Sequence, residues 1–200
     1  MSSLSWEGTI MNQPETLLKP HDGLLIVDVQ NDFFPGWKLP VEGAEAIIPV
    51  LNRWIAAAQT QLIPIYCSRD WHPVRHTSFH DGGGPWPVHC LQDSPGARFH
   101  PDLNLPDSVV KITKGVRFDQ DQNSVFDETG LADQLKRDHV THLWVGGLAL
   151  DVCVLASVLD ARQAGFDVSL IRQATRPVDV QEGEAALGKM REAGVSIFEE

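Results

Sequence analysis

No stretch of the 200-residue sequence approaches the ~20 consecutive apolar residues that a membrane-spanning helix requires. Clusters of Lys and Arg are also missing. With a formal net charge of −11 the chain offers no surface for neutralising phosphates, which argues against nucleic acid as a partner and toward small molecules. Cysteine is sparse: Cys67, Cys90 and Cys153 form an odd set in a chain far longer than disulfide-stapled scaffolds, so reduced thiols are expected. The opening segment MSSLSWEGTIMNQPETLLKP lacks the basic-then-apolar pattern of a signal peptide. These absences give the expectation of a cytoplasmic protein. No linker, charge block, internal repeat or low-complexity tract divides the sequence. Residues 1–200 therefore read as a single domain, with 1–20 as an N-terminal extension. Homo-oligomer formation is left open.

What is present is enough to build a packed core, since 42% of the residues are hydrophobic and 22% charged, as in ordinary globular domains. Short apolar runs recur at 23–28, 62–66, 108–113, 142–147, 167–172 and 195–198. Most are continuous rather than alternating, the pattern of strands covered on both faces. Between them Ala44, Ile47, Ile48, Leu51, Trp54, Ile55 and Ala58 keep helical spacing, as do Val152, Leu155, Ala156 and Leu159, and EGEAALGKMREAG supplies a last short helix. The alternation predicts an α/β fold: a doubly wound, mainly parallel six-stranded sheet with helices on both faces. Functional groups are then expected at the carboxyl ends of the strands.

Three such exits carry reactive side chains. Asp28 ends the first strand, where burial raises a carboxyl pKa and fits it to act as a base; Asp32 lies farther into the following loop. Lys114 follows SVVKIT, with Lys111 as its competitor. Cys153 opens the helix after the fourth strand, where the helix dipole and free backbone amides favour a thiolate. Each alone has a bland reading: a turn cap, a surface lysine, a small core residue. Convergence at one cleft changes that, because thiol, carboxylate and ammonium together suit nucleophilic attack on an acyl carbon.

The long segment 67–107 holds little periodicity but concentrates Asp70, His72, His76, His80 and His89. Asp70 and His72, two apart at an extended strand exit, point to one side. With His89 they form a two-imidazole, one-carboxylate set with coordination positions to spare. His76 is a candidate additional ligand; His80 and His100 have weaker claims. A structural zinc site using Cys67 and Cys90 lacks the usual paired C-x-x-C spacing.

Taken in order, LLIVDVQNDFF, RDWHPVRHTSF, WPVHC, TKGV and GGLALDVCV resemble the nicotinamidases, or pyrazinamidases, of the isochorismatase-like (cysteine hydrolase) superfamily. The resemblance implies an amidohydrolase of NAD salvage that converts nicotinamide to nicotinate and ammonia through a cysteine thioester. It assigns Cys153 as nucleophile, Asp28 as acid/base partner and Lys114 as the cation of the triad. It also makes Asp70, His72 and His89 ligands of one divalent metal, zinc first, with iron or manganese as alternatives. Phe33 and Trp86 match aromatic positions flanking the substrate ring. A cis peptide is implied between Leu148 and Ala149, aiming the Ala149 and Cys153 amides at the oxyanion. GWKLPV, Leu150 and Val152 depart from the common pattern and put the pocket in question more than the chemistry. The alternatives are a carbamoylsarcosine- or ureidoacrylate-type cysteine amidase, and a non-catalytic metal-binding protein.

Overall fold

The computed structural model describes residues 13–199. Its elements are α1 (Pro14–Leu17), β1 (Asp22–Val27), α2 (Ile47–Thr60), β2 (Ile65–Asp70), β3 (Val110–Lys114), α3 (Leu131–Arg137), β4 (His142–Leu148), α4 (Leu155–Gln163), β5 (Asp167–Arg176), α5 (Val180–Glu192) and β6 (Ser196–Phe198). The six strands pair in parallel in the order β3-β2-β1-β4-β5-β6. This is the doubly wound α/β sheet expected from the continuous apolar runs. Every residue of β1 is buried, because helices cover the sheet on both sides. On one side α2 packs Ile47, Leu51, Trp54, Ile55 and Ala58 over the sheet. On the other, Leu131 and Leu135 of α3, Val158 and Ala161 of α4, and Leu187 and Met190 of α5 form a second core.

The order in which strands are added reverses between β1 and β4, which are parallel neighbours although β2 and β3 intervene in sequence. A crevice opens at such a switch point, beyond the carboxyl ends of the two strands. Close approach of these strands needs Gly147: its φ is 122°, and a Cβ there would lie 2.0 Å from the Val27 carbonyl oxygen.

Several element ends differ from the sequence reading. The second strand spans 65–70 rather than 62–66, because Leu62 takes a left-handed conformation (φ 58°) in the turn that ends α2. The polar Ser68, Arg69 and Asp70 then complete the strand. β5 runs four residues past the expected end at 172. α5 begins two residues before the EGEAALGKMREAG segment, where the Asp179 carboxylate accepts hydrogen bonds from the Gln181 and Glu182 amides and caps the helix.

Part of the expected N-terminal extension, residues 1–12, lies outside the described residues. Within the remainder, Leu18 is buried in the α2-side core. No helix among the described residues is long and apolar enough to cross a membrane.

Candidate active site

Each strand around the switch point delivers one group. Asp28 follows β1 in a left-handed conformation (φ 48°), uncommon for a residue with a side chain and typical of places where the fold holds a group against local preference. Asp70 closes β2 and Lys114 closes β3. Cys153 follows β4 in a wide π-type turn, Leu150–Val154, that leads into α4. Such turns are rare and recur at functional sites. The Leu148–Ala149 peptide that precedes it is cis.

The four side chains meet around one ammonium. Lys114 Nζ lies 2.6 Å from Asp70 Oδ1, 2.8 Å from Asp28 Oδ2 and 3.4 Å from Cys153 Sγ. Lys114 and Asp28 are fully buried. Burial pulls the lysine pKa down, but Asp28 and Asp70 outweigh it and hold the ammonium charged well above the usual range. Burial raises the Asp28 carboxyl against the pull of Lys114, and the Asp70 charge raises it further. Burial likewise pushes the Cys153 thiol well up despite Lys114. This reverses the thiolate expected from the helix terminus alone: desolvation dominates, so the resting sulfur keeps its proton and needs a base. Asp28 is placed for that task. Ser68 Oγ donates to Asp28 Oδ1 at 2.7 Å, whereas Oδ2, beside the ammonium, receives no aligned hydrogen bond and keeps a lone pair.

Beside this cluster, Asp70, His72 and His89 are buried and bring one ligand atom each to within 4.8 Å of one another. The chemistry of the set fits a divalent ion. His72 Nδ1 pairs with the Gly115 carbonyl at 3.1 Å, and His89 Nδ1 with the Pro87 carbonyl at 2.8 Å. A carbonyl only accepts, so both rings carry a proton on Nδ1 and leave Nε2 as the nitrogen that a metal would take, the arrangement of metal-ligating histidine. Gln30 anchors the aspartate's backbone, its side-chain amide donating to the Asp70 carbonyl (2.8 Å) and accepting from the Asp70 amide (2.7 Å).

The competing residues are placed elsewhere. His76 stacks on His72 (ring centroids 4.1 Å apart), but its nitrogens face Ser78 Oγ and the Gln120 carbonyl, and it does not enter the three-ligand set. Asp32 accepts from the Cys90 amide at 2.7 Å and so braces the loop. Lys111 is exposed on the strand. Among the described residues, Cys67 and Cys90 join no group with metal-ligand spacing.

One cleft connects these parts. It measures about 430 Å³ including its open mouth, and Phe33, Trp86, Asp70, His72, His89, Ala149 and Cys153 all line it. Leu39, Val41, Ser78, Asp121, Asn123, Val152 and Val178 complete its walls; of these, sequence reasoning singled out Val152 and, within GWKLPV, Leu39 and Val41. Val178 follows the true end of β5, so a correct strand boundary would have found it by the same strand-exit logic. Leu39, Asp121 and Asn123 sit in irregular loops with no periodic signal.

Over residues 22–199 the sequence matches the isochorismatase domain. It is 36% identical to the nicotinamidase of Acinetobacter baylyi, covering 78% of this chain and 82% of the relative. The pyrazinamidase of Pyrococcus horikoshii, solved in complex with zinc, superposes with a TM-score of 0.87 at 39% identity, over 90% of this chain and 100% of that one. PnC1 of L. infantum, solved in complex with nicotinate, superposes with a TM-score of 0.83 at 36% identity, over 89% and 92% of the two chains. With the model match spanning nearly all of the sheet and its crevice, the chain belongs to the isochorismatase family.

Proposed function

We propose that the protein is a nicotinamidase, hydrolysing nicotinamide to nicotinate and ammonia as a step of NAD salvage, with pyrazinamide as a second substrate of the same shape. The observation that carries this is the meeting of Cys153 with the buried Asp28 and Lys114 at the wall of a cleft that Cys153 lines together with Asp70, His72 and His89. Similarity to nicotinamidases and pyrazinamidases over most of the chain supports the same reading.

Asp28 takes the Cys153 proton on its free oxygen, and the thiolate forms a bond to the carboxamide carbon. Lys114 holds its charge beside both groups and offsets the negative charge that develops. The backbone amides of Ala149 and Cys153, both at the cleft, receive the oxyanion. Collapse breaks the C–N bond, and ammonia leaves with the proton that Asp28 held. Water then attacks the thioester, Asp28 taking its proton, and C–S cleavage releases nicotinate and restores the thiol. Phe33 and Trp86 flank the ring. Asp70, His72 and His89 would hold one divalent ion, zinc first and iron or manganese as alternatives, which supplies a Lewis-acid position for the ring nitrogen. His76 stands behind His72 as a packing partner.

The test is ammonia release from nicotinamide and pyrazinamide, with and without prior chelation, by the wild type and by Cys153→Ala. Turnover by the wild type, lost in the variant and reduced by chelation, is expected. Near-normal turnover by Cys153→Ala would end the proposal.

A further inference from the structure

The Lys114 ammonium has more acceptors than it can serve. Four surround it: Asp70 Oδ1 at 2.6 Å, Asp28 Oδ2 at 2.8 Å, the Gln122 carbonyl at 3.2 Å and Cys153 Sγ at 3.4 Å. An ammonium carries three N–H donors. Four acceptors therefore share three protons, and the fully buried Asp28 Oδ2 is held chiefly by the charge of this ammonium at 2.8 Å. Two carboxylates, a carbonyl and a sulfur closing on one point charge make the donor set of a four-coordinate metal site. Asp28, Asp70 and Cys153 already present ligand atoms within 4.8 Å of one another. Asp70 belongs both to this cage and to the Asp70, His72 and His89 set, so the two share a wall.

We propose that Lys114 is a built-in cation that fills a second metal-ligand cage and keeps divalent ions off the Cys153 sulfur. A thiolate bound to a metal is no longer free to attack carbon, and sulfur is the ligand that thiophilic ions prefer. The lysine is tethered to the end of β3, so its charge cannot leave the cage, and it repels an incoming dication at a distance of 3.4 Å from the sulfur. A neutral side chain at position 114 would leave Asp28, Asp70, the Gln122 carbonyl and Cys153 facing a space without a cation. A divalent ion would enter it, and the thiol proton would pass to solvent. The inference rests on the proposed metal centre only through the shared Asp70.

The test is a titration of chelator-treated protein with Co²⁺, read by metal content after gel filtration and by thiolate-to-cobalt charge-transfer absorption. The wild type is expected to take one equivalent without that absorption, even in excess Co²⁺. Lys114→Met is expected to take two and to show it, and the absorption should vanish in the Lys114→Met/Cys153→Ser double variant. Lys114→Gln serves if the methionine variant does not fold. The inference is overturned by a folded neutral variant with no added equivalent, or by thiolate-to-cobalt absorption in the wild type, which needs no variant at all. A wild type that takes no cobalt refutes the Asp70, His72 and His89 centre instead. In that case a thiolate-bound equivalent gained by the variant still supports the role of Lys114.

Discussion

Ser68 Oγ donates a 2.7 Å hydrogen bond to Asp28 Oδ1 from the neighbouring strand, and both residues are fully buried. The donation favours the ionised carboxylate and so lowers its pKa against the effect of burial. Ser68→Ala removes it. Hydrogen bonds to charged groups contribute about 1.5–3 kcal/mol, so kcat/KM for nicotinamide is expected to fall by roughly ten- to a hundredfold. Asp28 would then ionise only at higher pH, and the acid limb of the kcat/KM profile should move upward. An unmoved limb would show that Asp28 is not the base whose titration the profile reads.

Gln30 makes the second prediction. Its side chain holds both backbone groups of Asp70 and also donates to the Ala97 carbonyl at 2.9 Å. Gln30→Leu leaves these buried groups without partners, at about 1–3 kcal/mol for each unmet group. Loss of support behind a metal ligand typically lowers affinity ~10–100-fold. Chelator competition and thermal melting separate the two effects. A lowered melting temperature with unchanged metal affinity would make Gln30 a packing residue only.

The fold and the reacting groups were legible because both depend on strand exits. Continuous apolar runs identify a two-sided sheet, and Asp28, Lys114 and Cys153 follow from asking what stands at the carboxyl end of each run, whereas Asp70 is picked out by its spacing from His72 in the histidine-rich segment. The limits have a physical origin as well. Apolar content ends β2 at residue 66, but backbone pairing with β3 carries it through Ser68–Asp70, and the polar side chains that break the hydrophobic pattern are the ones the site uses. Gln30 and Ser68 carry no chemical signature of their own. Their role comes from cross-strand contacts between residues forty apart, which no local pattern records. The Cys153 thiol differs from the helix-terminus expectation for a related reason: the helix terminus is visible in sequence, whereas burial of the sulfur is not.

Gly115 separates backbone requirement from chemistry. Its φ is 66°, and a Cβ there would lie 2.5 Å from His72 Cε1 and 2.7 Å from Nδ1. Gly115→Ala therefore costs about 1–2 kcal/mol for the left-handed conformation and also pushes the His72 ring out of line with Asp70 and His89. Metal affinity is expected to fall at least tenfold while the protein still folds, measured by chelator competition and circular dichroism. Full retention of metal affinity would mean that His72 does not depend on this close approach.

At the opposite end of the sheet, Asp22 accepts hydrogen bonds from the Lys19 amide (2.9 Å), His142 Nδ1 (3.0 Å) and Trp144 Nε1 (3.0 Å). Burial pushes its carboxyl up, but these donors outweigh it and hold the pKa below the ordinary value. A carboxyl whose folded pKa is depressed stabilises the fold above its unfolded pKa of ~3.9 and loses that contribution as pH falls through the folded value. Asp22→Asn is therefore expected to be less stable than the wild type by about 1–3 kcal/mol at pH values well above the carboxylate range. That gap should narrow in acid below the ordinary Asp pKa. Urea midpoints of both proteins across this interval check it, and a gap independent of pH would show that the charge on Asp22 contributes nothing. Because the cluster lies away from the cleft, kcat for nicotinamide should match the wild type at neutral pH.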